Sequence, residues 1–369
     1  MTERTVQPHE DWSRPPAATT GAIGWMRKNL FSTWLNSAMT LGALYVLLTT
    51  IPGLIQWAFI DAIWGDNPPE VCKNVPGACW SFIYEKYRFI LFGVYPWEEH
   101  WRPLLAMIIF LTLIFGSCIK PLWALGKWII AIWVVGLTMV GILMWGGILG
   151  MEYVDQSQWG GLPLTLFLAT FGAVLSFPLA ILLALGRRSN MPAIKAICVA
   201  YIELIRGVPL ISILFMASVM FPLFLPTGVS IDKLLRAVVG LILFSAAYGA
   251  EIVRGGLQAI PRGQYEAADA MGLTYWQKMG KVILPQALRI TIPPMVNGFI
   301  GGFKDTSLVL IIGLFDLLYT TRLAFQDVNW RPYFVEGYVF CALIYFCFCF
   351  FMSRYSQWLE RDLVKGQNY

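Results

Sequence analysis

Apolar residues run in long stretches along this chain, broken by short polar or proline-bearing segments. A helix needs roughly 20 mostly apolar residues to cross about 30 Å of hydrocarbon. Eight stretches approach that length, near residues 38–60, 103–119, 128–150, 162–186, 208–225, 236–253, 289–312 and 333–353. The pattern predicts an all-α membrane protein with about eight transmembrane helices. Ahead of the first span lies a polar tail, residues 1–37, whose Pro/Thr/Ala character predicts disorder. No small-residue cleavage site follows that span, so it is expected to stay in the protein.

Composition agrees with the pattern. Hydrophobic residues make up 57% of the 369, charged ones only 13%, and mean hydropathy is +0.63; a soluble chain carries about 25% charged residues. Because the Lys/Arg bias of the loops sets orientation, the small net charge of +5 matters by its placement. With the N-terminus inside, the inner segments hold eighteen Lys and Arg and the outer ones eight, leaving Lys304 within a span. Both termini are therefore expected in the cytoplasm, and the loop 61–102 outside. No basic run suggests nucleic acid.

Only His9 and His100 occur, both outside the apolar stretches, which argues against a bis-imidazole haem or a histidine-rich metal site; no cofactor or metal is expected. Five of the seven cysteines, Cys118, Cys198, Cys341, Cys347 and Cys349, lie in apolar or interfacial stretches, where a free thiol behaves as a small hydrophobe. Cys72 and Cys79 lie in the outer loop, where disulfides persist, and flank Pro76 and Gly77, which favour a chain reversal. They read as a disulfide or as two free thiols close in sequence.

The segment Ile260 to Pro285 is too polar to be embedded. Pro261 suits a first helical turn, Ala267, Ala268, Ala270 and Met271 continue a helix, and Gly272 can end it in the left-handed conformation. Thr274 with Gln277 forms a capping-box pattern that starts a second helix. The segment reads either as a loop lying on lipid headgroups or as a docking element. The small residues, together with Glu266 and Asp269, suit a groove on another protein better than a lipid surface.

The residues Glu266, Ala267, Ala268, Gly272, Val282, Leu284 and Pro285 carry the E-A-A…G…L-P spacing of the membrane subunits of bacterial ABC importers, with valine where isoleucine is usual. The stretches GLPLTLFLATFGAVLSFPLAILLALGRRS, YIELIRGVPLI and NGFIGGFKDTSLVLIIG resemble core helices of the polar amino-acid branch, the histidine and glutamine type permeases. The resemblance covers roughly residues 160–365. It implies a type I, MetI-like five-helix core at 160–369, preceded by a three-helix extension at 38–150. That layout looks most like the larger permease subunit of general L-amino-acid or glutamate/glutamine/aspartate/asparagine uptake systems. It also implies that the loop 255–288 holds a coupling helix, with Glu266, Ala267, Ala268, Asp269, Met271 and Gly272 meeting the ATPase. The partners implied are a second, related permease subunit, two cytoplasmic ATP-binding subunits, a periplasmic amino-acid-binding protein, the amino-acid substrate and the lipid bilayer. In the resemblance the chain is not itself an enzyme.

Lys304, Asp305, Thr306 and Ser307 are costly inside a span and need partners or water. They read either as a pocket for the zwitterionic head of an amino acid or as a structural polar network. GGFKDTS is not a phosphate loop, because Phe303 and Asp305 stand where that motif needs Gly and Ser or Thr. Glu251 and Arg254, three apart, can pair on one helix face, as a structural pair or a relay of motion. Tyr248 reads as packing, and Arg206, Gly207 and Pro209 as a bend. The resulting function is the permease subunit of an ATP-driven importer of polar L-amino acids working by alternating access. The alternative is a stand-alone channel or ion-coupled carrier, which would not need the docking loop.

Overall fold

The structure, a computed structural model, describes residues 21–226, 228 and 231–365; Arg4, His9 and Arg14 of the expected tail lie outside the described residues. The chain divides into two compact units, Met1–Ser81 and Phe82–Tyr369.

In the first unit, α1 (Gly21–Asn29) precedes α2 (Trp34–Ile55), which runs on through a π-helical turn, so that Trp34–Ile60 is long enough to span a membrane. Thr33 caps α2, its hydroxyl accepting from the Asn36 N–H at 3.2 Å. Apolar side chains such as Leu41, Tyr45, Leu48 and Phe59 are exposed around the helix, as on a helix solvated by lipid. The chain then folds back on itself around α3 (Pro69–Cys72). The Ile63 N–H donates to the Ala78 carbonyl and the Trp80 N–H to the Ile63 carbonyl, each at 2.9 Å. A disulfide joins Cys72 to Cys79 with Cα atoms 5.7 Å apart, and the Trp64 and Trp80 rings stack beside it.

The second unit contains all of α4 (Ser81–Phe92) but its first residue, with α5 (Trp101–Ser117), α6 (Lys127–Trp145), α7 (Gly161–Arg187), α8 (Pro192–Gly207), α9 (Leu210–Phe215), α10 (Lys233–Ala259), α11 (Arg262–Ala270), α12 (Tyr275–Gln277), α13 (Leu284–Asp305), α14 (Leu317–Ala324) and α15 (Phe334–Lys365). The pair α7 and α10 is its central contact; α13 packs on α10, and α15 on α13. One end is tied by a buried backbone crossing. Gly160 and Gly161 bridge to Phe315 and Asp316, the Thr165 hydroxyl accepts from the Leu317 N–H at 3.0 Å, and Asp316 caps α14. Gly161 sits at φ +65°, and a Cβ there would fall 2.0 Å from the Leu91 carbonyl oxygen, so no side chain fits.

Among the described residues, seven helical segments are long and apolar enough to cross a membrane, with an eighth if one bent pair counts as a span. That pair corrects the expectation at 208–225. The segment Leu210–Phe224 meets α8 at 104°, because Pro209 holds Val208 extended (φ −110°, ψ 134°) and has no N–H to continue a helix. The seventh span differs as well. Its helix begins at Tyr275 and continues to Ile312, so the second helix of the polar loop is the first turn of a span. In the membrane-isolated protein, mass spectrometry without reductant should recover the Cys72 and Cys79 peptides covalently joined. Recovery of both as alkylated free thiols would rule the bond out.

Candidate functional site

Between α7, α9, α10 and α13 lies a cavity of about 330 Å³, at the lower end of the roughly 300–1,000 Å³ usual for small-molecule sites. Its walls are mostly apolar and mix large with small side chains: Leu168, Gly172 and Ala180 from α7, Phe244 and Gly249 from α10, Gly298 and Phe299 from α13. Polar character comes from the Ser176, Ser245 and Tyr248 hydroxyls and from Asp305, the one charged lining residue. Asp305 is the last residue of α13, where the chain tightens into a 3-10 turn through Ile312. A carboxylate there sits at the negative end of a helix dipole, so both favour an arriving cation. Among the described residues no Lys, Arg or His pairs with Asp305.

The four neighbouring residues singled out in the sequence do not share one pocket. Lys304 is exposed and does not line the cavity; one residue along a helix turns the side chain by about 100°. The Thr306 hydroxyl is buried and donates to the Phe303 carbonyl at 2.7 Å, and the Ser307 hydroxyl donates to the Lys304 carbonyl at 2.8 Å. Both satisfy the end of their own helix.

Where α10 leads into the polar loop, Glu251 and Arg254 meet as their spacing suggested, with Arg254 Nη2 2.9 Å from Glu251 Oε2. The pair belongs to a larger network. Arg187 at the end of α7 lies 3.3 Å from Glu251 and 2.7 Å from Glu203, and Arg206 of α8 lies 3.8 Å from Glu251. Arg206 also stands over the Tyr248 ring, 5.5 Å from its centroid. Arg187 and Glu203 went unnoticed in the sequence because they come from separate segments, and no spacing links them.

The polar loop is tied to this end by hydrogen bonds and packing. Pro261 precedes α11, Gly272 is left-handed at φ +70°, and Thr274 and Gln277 complete a capping box. The Tyr265 hydroxyl donates to the Leu257 carbonyl of α10 at 2.8 Å, and the Gln286 amide of α13 donates to Gln264 of α11 at 3.1 Å. Lys278 forms an ion pair with Asp269. Glu266, Ala267, Asp269, Met271 and Gly272 are exposed, whereas Ala268 is buried and faces the bundle. Beneath the loop, Ile202, Val253, Leu257, Met279, Ile283 and Ala287 form one apolar cluster with Tyr265 against it.

The sequence profile of the family described as "Binding-protein-dependent transport system inner membrane component" matches residues 176–365. The chain belongs to this family. Among its relatives, the inner membrane amino-acid ABC transporter permease protein YhdY of Escherichia coli K12 is 50% identical, over 94% of this chain and 94% of its own length. The glutamate/glutamine/aspartate/asparagine transport system permease protein BztC of Rhodobacter capsulatus is 39% identical, over 95% of both. A solved amino acid ABC transporter crystallised with histidines aligns at 34% identity over 55% of this chain and 92% of that one, with a TM-score of 0.49. This binding-protein-dependent transport component is thus a multi-pass inner-membrane permease subunit of an ABC importer. It works with ATP-binding subunits and a substrate-binding protein, and ATP hydrolysis belongs to a separate subunit.

Glu251 is the shared acceptor of three arginines and mostly buried. Glu251→Gln should therefore leave cations facing one another and lower stability by about 2 kcal/mol. Glu203→Gln, at an exposed carboxylate, should cost less than about 1 kcal/mol. Thermal unfolding of the two variants in detergent checks the order.

Proposed function

We propose that this chain conducts polar L-amino acids, with the cavity beside Asp305 as its share of the pathway. The observation that carries this reading is an apolar-walled cavity with a single carboxylate at a helix end and three hydroxyls, a setting for an ammonium group on a small polar molecule. The relatives YhdY and BztC, both amino-acid permeases, point the same way. The excess of Lys and Arg in alternate loops supports cytoplasmic termini, with residues 1–37 and the loop 255–288 inside and 61–102 in the periplasm. A second, related permease and two copies of the ATP-binding subunit complete the assembly in this reading.

In this reading the importer works by alternating access through the connections described above. The exposed Glu266, Ala267, Asp269, Met271 and Gly272 surface seats in the ATP-binding subunit. Closure of the ATPase pair displaces α11, and Tyr265 and Gln264 pass that displacement to α10 and α13. Those two helices carry Tyr248, Gly298 and Asp305, so the cavity walls move with the loop.

In the reconstituted complex, Asp305→Asn should reduce amino-acid uptake by at least about tenfold, the effect of one charge-assisted contact, with assembly and basal ATP hydrolysis retained. Lys304→Met should reduce uptake by less than about threefold, since it lies off the cavity. Equal losses at both positions, or loss of assembly with Asp305→Asn, would return the cluster to a structural role.

For coupling, Ala267→Trp and Gly272→Val should leave the permease inserted while lowering co-purification of the ATP-binding subunit and uptake together. The left-handed backbone at Gly272 resists a branched side chain. Normal ATPase yield with both variants would count against the docking surface.

A further inference from the structure

The bend between α8 and α9 joins the cavity to the charge network. Leu210, the first residue after the bend, lines the cavity together with Tyr248 and Ile252. Arg206, just before the bend, places its guanidinium over the Tyr248 ring and 3.8 Å from Glu251. Glu251 lies three residues beyond Tyr248 toward the loop end of α10, about 4.5 Å along the helix axis. The Arg206 guanidinium therefore stands beside the part of the cavity wall nearest the polar loop, held between a cavity-lining ring and a carboxylate. Glu251 keeps Arg254 and Arg187 as partners when Arg206 leaves, so this contact can break without stranding the charge. Its side chain is about one-third exposed, and ion pairs and cation–π contacts at such sites are weak enough to open and close.

We infer that Arg206 is a gating residue: bound to Tyr248 and Glu251, it closes the loop-facing mouth of the cavity, and release of cargo on that side requires it to swing away. The inference rests on the reading of the cavity as the transport pathway. Arg206 acts on access to the cavity and is a positioning residue for Tyr248.

The test uses the complete importer in inverted membrane vesicles, which expose the loop side. Ser245, on the cavity wall, is replaced by Cys, and its reaction with a membrane-impermeant maleimide is followed by peptide mass spectrometry. Adding Arg206→Ala should speed that labelling about fivefold to tenfold, the scale set by losing one ion pair and one cation–π contact. Tyr248→Leu, the second variant in case Arg206→Ala assembles poorly, should do the same. Arg254→Gln, which removes a stronger partner of Glu251 away from the cavity, should change the rate less than about twofold. An unchanged rate in both Arg206→Ala and Tyr248→Leu would overturn the gate, as would an equal rise with Arg254→Gln, which would mark general loosening of the helix ends. Protection of Ser245→Cys by a glutamate and glutamine mixture tests the pathway separately: without protection the cavity reading fails, whatever the mouth does.

Discussion

Lipid offers no hydrogen bonds, and this governs where the chain can depart from a helix. A backbone group freed inside hydrocarbon costs several kcal/mol unless protein or water meets it, so irregular backbone is tolerated only against a cavity or a neighbouring helix. Three interruptions in the second unit obey this. The Gly207–Pro209 break delivers Leu210 to the cavity. The end of α13 delivers Asp305 to the same space. The π-helical turn over Lys278–Ile283 lies where Met279 and Ile283 enter the apolar cluster under the loop.

The same two helices, α10 and α13, carry cavity residues along part of their length and the loop's attachments at one end. Small side chains make this possible: Gly249 of α10 stands so close to α7 that a Cβ there would come within 2.9 Å of the Ala180 methyl. Close packing of this kind transmits displacement as rigid-body tilt. The apolar cluster and the Tyr265 bond bind the loop to the helix ends, and α10 continues without a break from there to Tyr248.

Much of this arrangement was legible in the sequence where the signal was local. Apolar runs marked the spans, and Gly272 with the Thr274 and Gln277 pair marked the turn, because capping and left-handed backbone depend on near neighbours. The bent α8–α9 pair was half visible: Pro209 signalled a break, but apolar content alone could not reveal the 104° angle. The cluster at Lys304 to Ser307 was visible as a cost but not in its directions, since adjacent side chains on a helix diverge and only Asp305 faces the cavity. The partners of Glu251 beyond Arg254 were invisible, because Arg187 and Arg206 arrive from other helices and tertiary packing alone brings them together.

A cavity with one charge of its own has a consequence for affinity. In the proposed pathway the ammonium of an amino acid faces Asp305, while its carboxylate meets hydroxyls and no lining cation from this chain. A bidentate arginine would bind that carboxylate far more tightly, and a conduit gains nothing from holding its cargo, since passage needs a site favourable enough to enter and weak enough to leave. In this reading recognition lies upstream, in the substrate-binding protein that the family implies. What the proposed pathway leaves to the membrane cavity is selection by size and by the presence of an ammonium group, and a small chamber with one fixed carboxylate suits both.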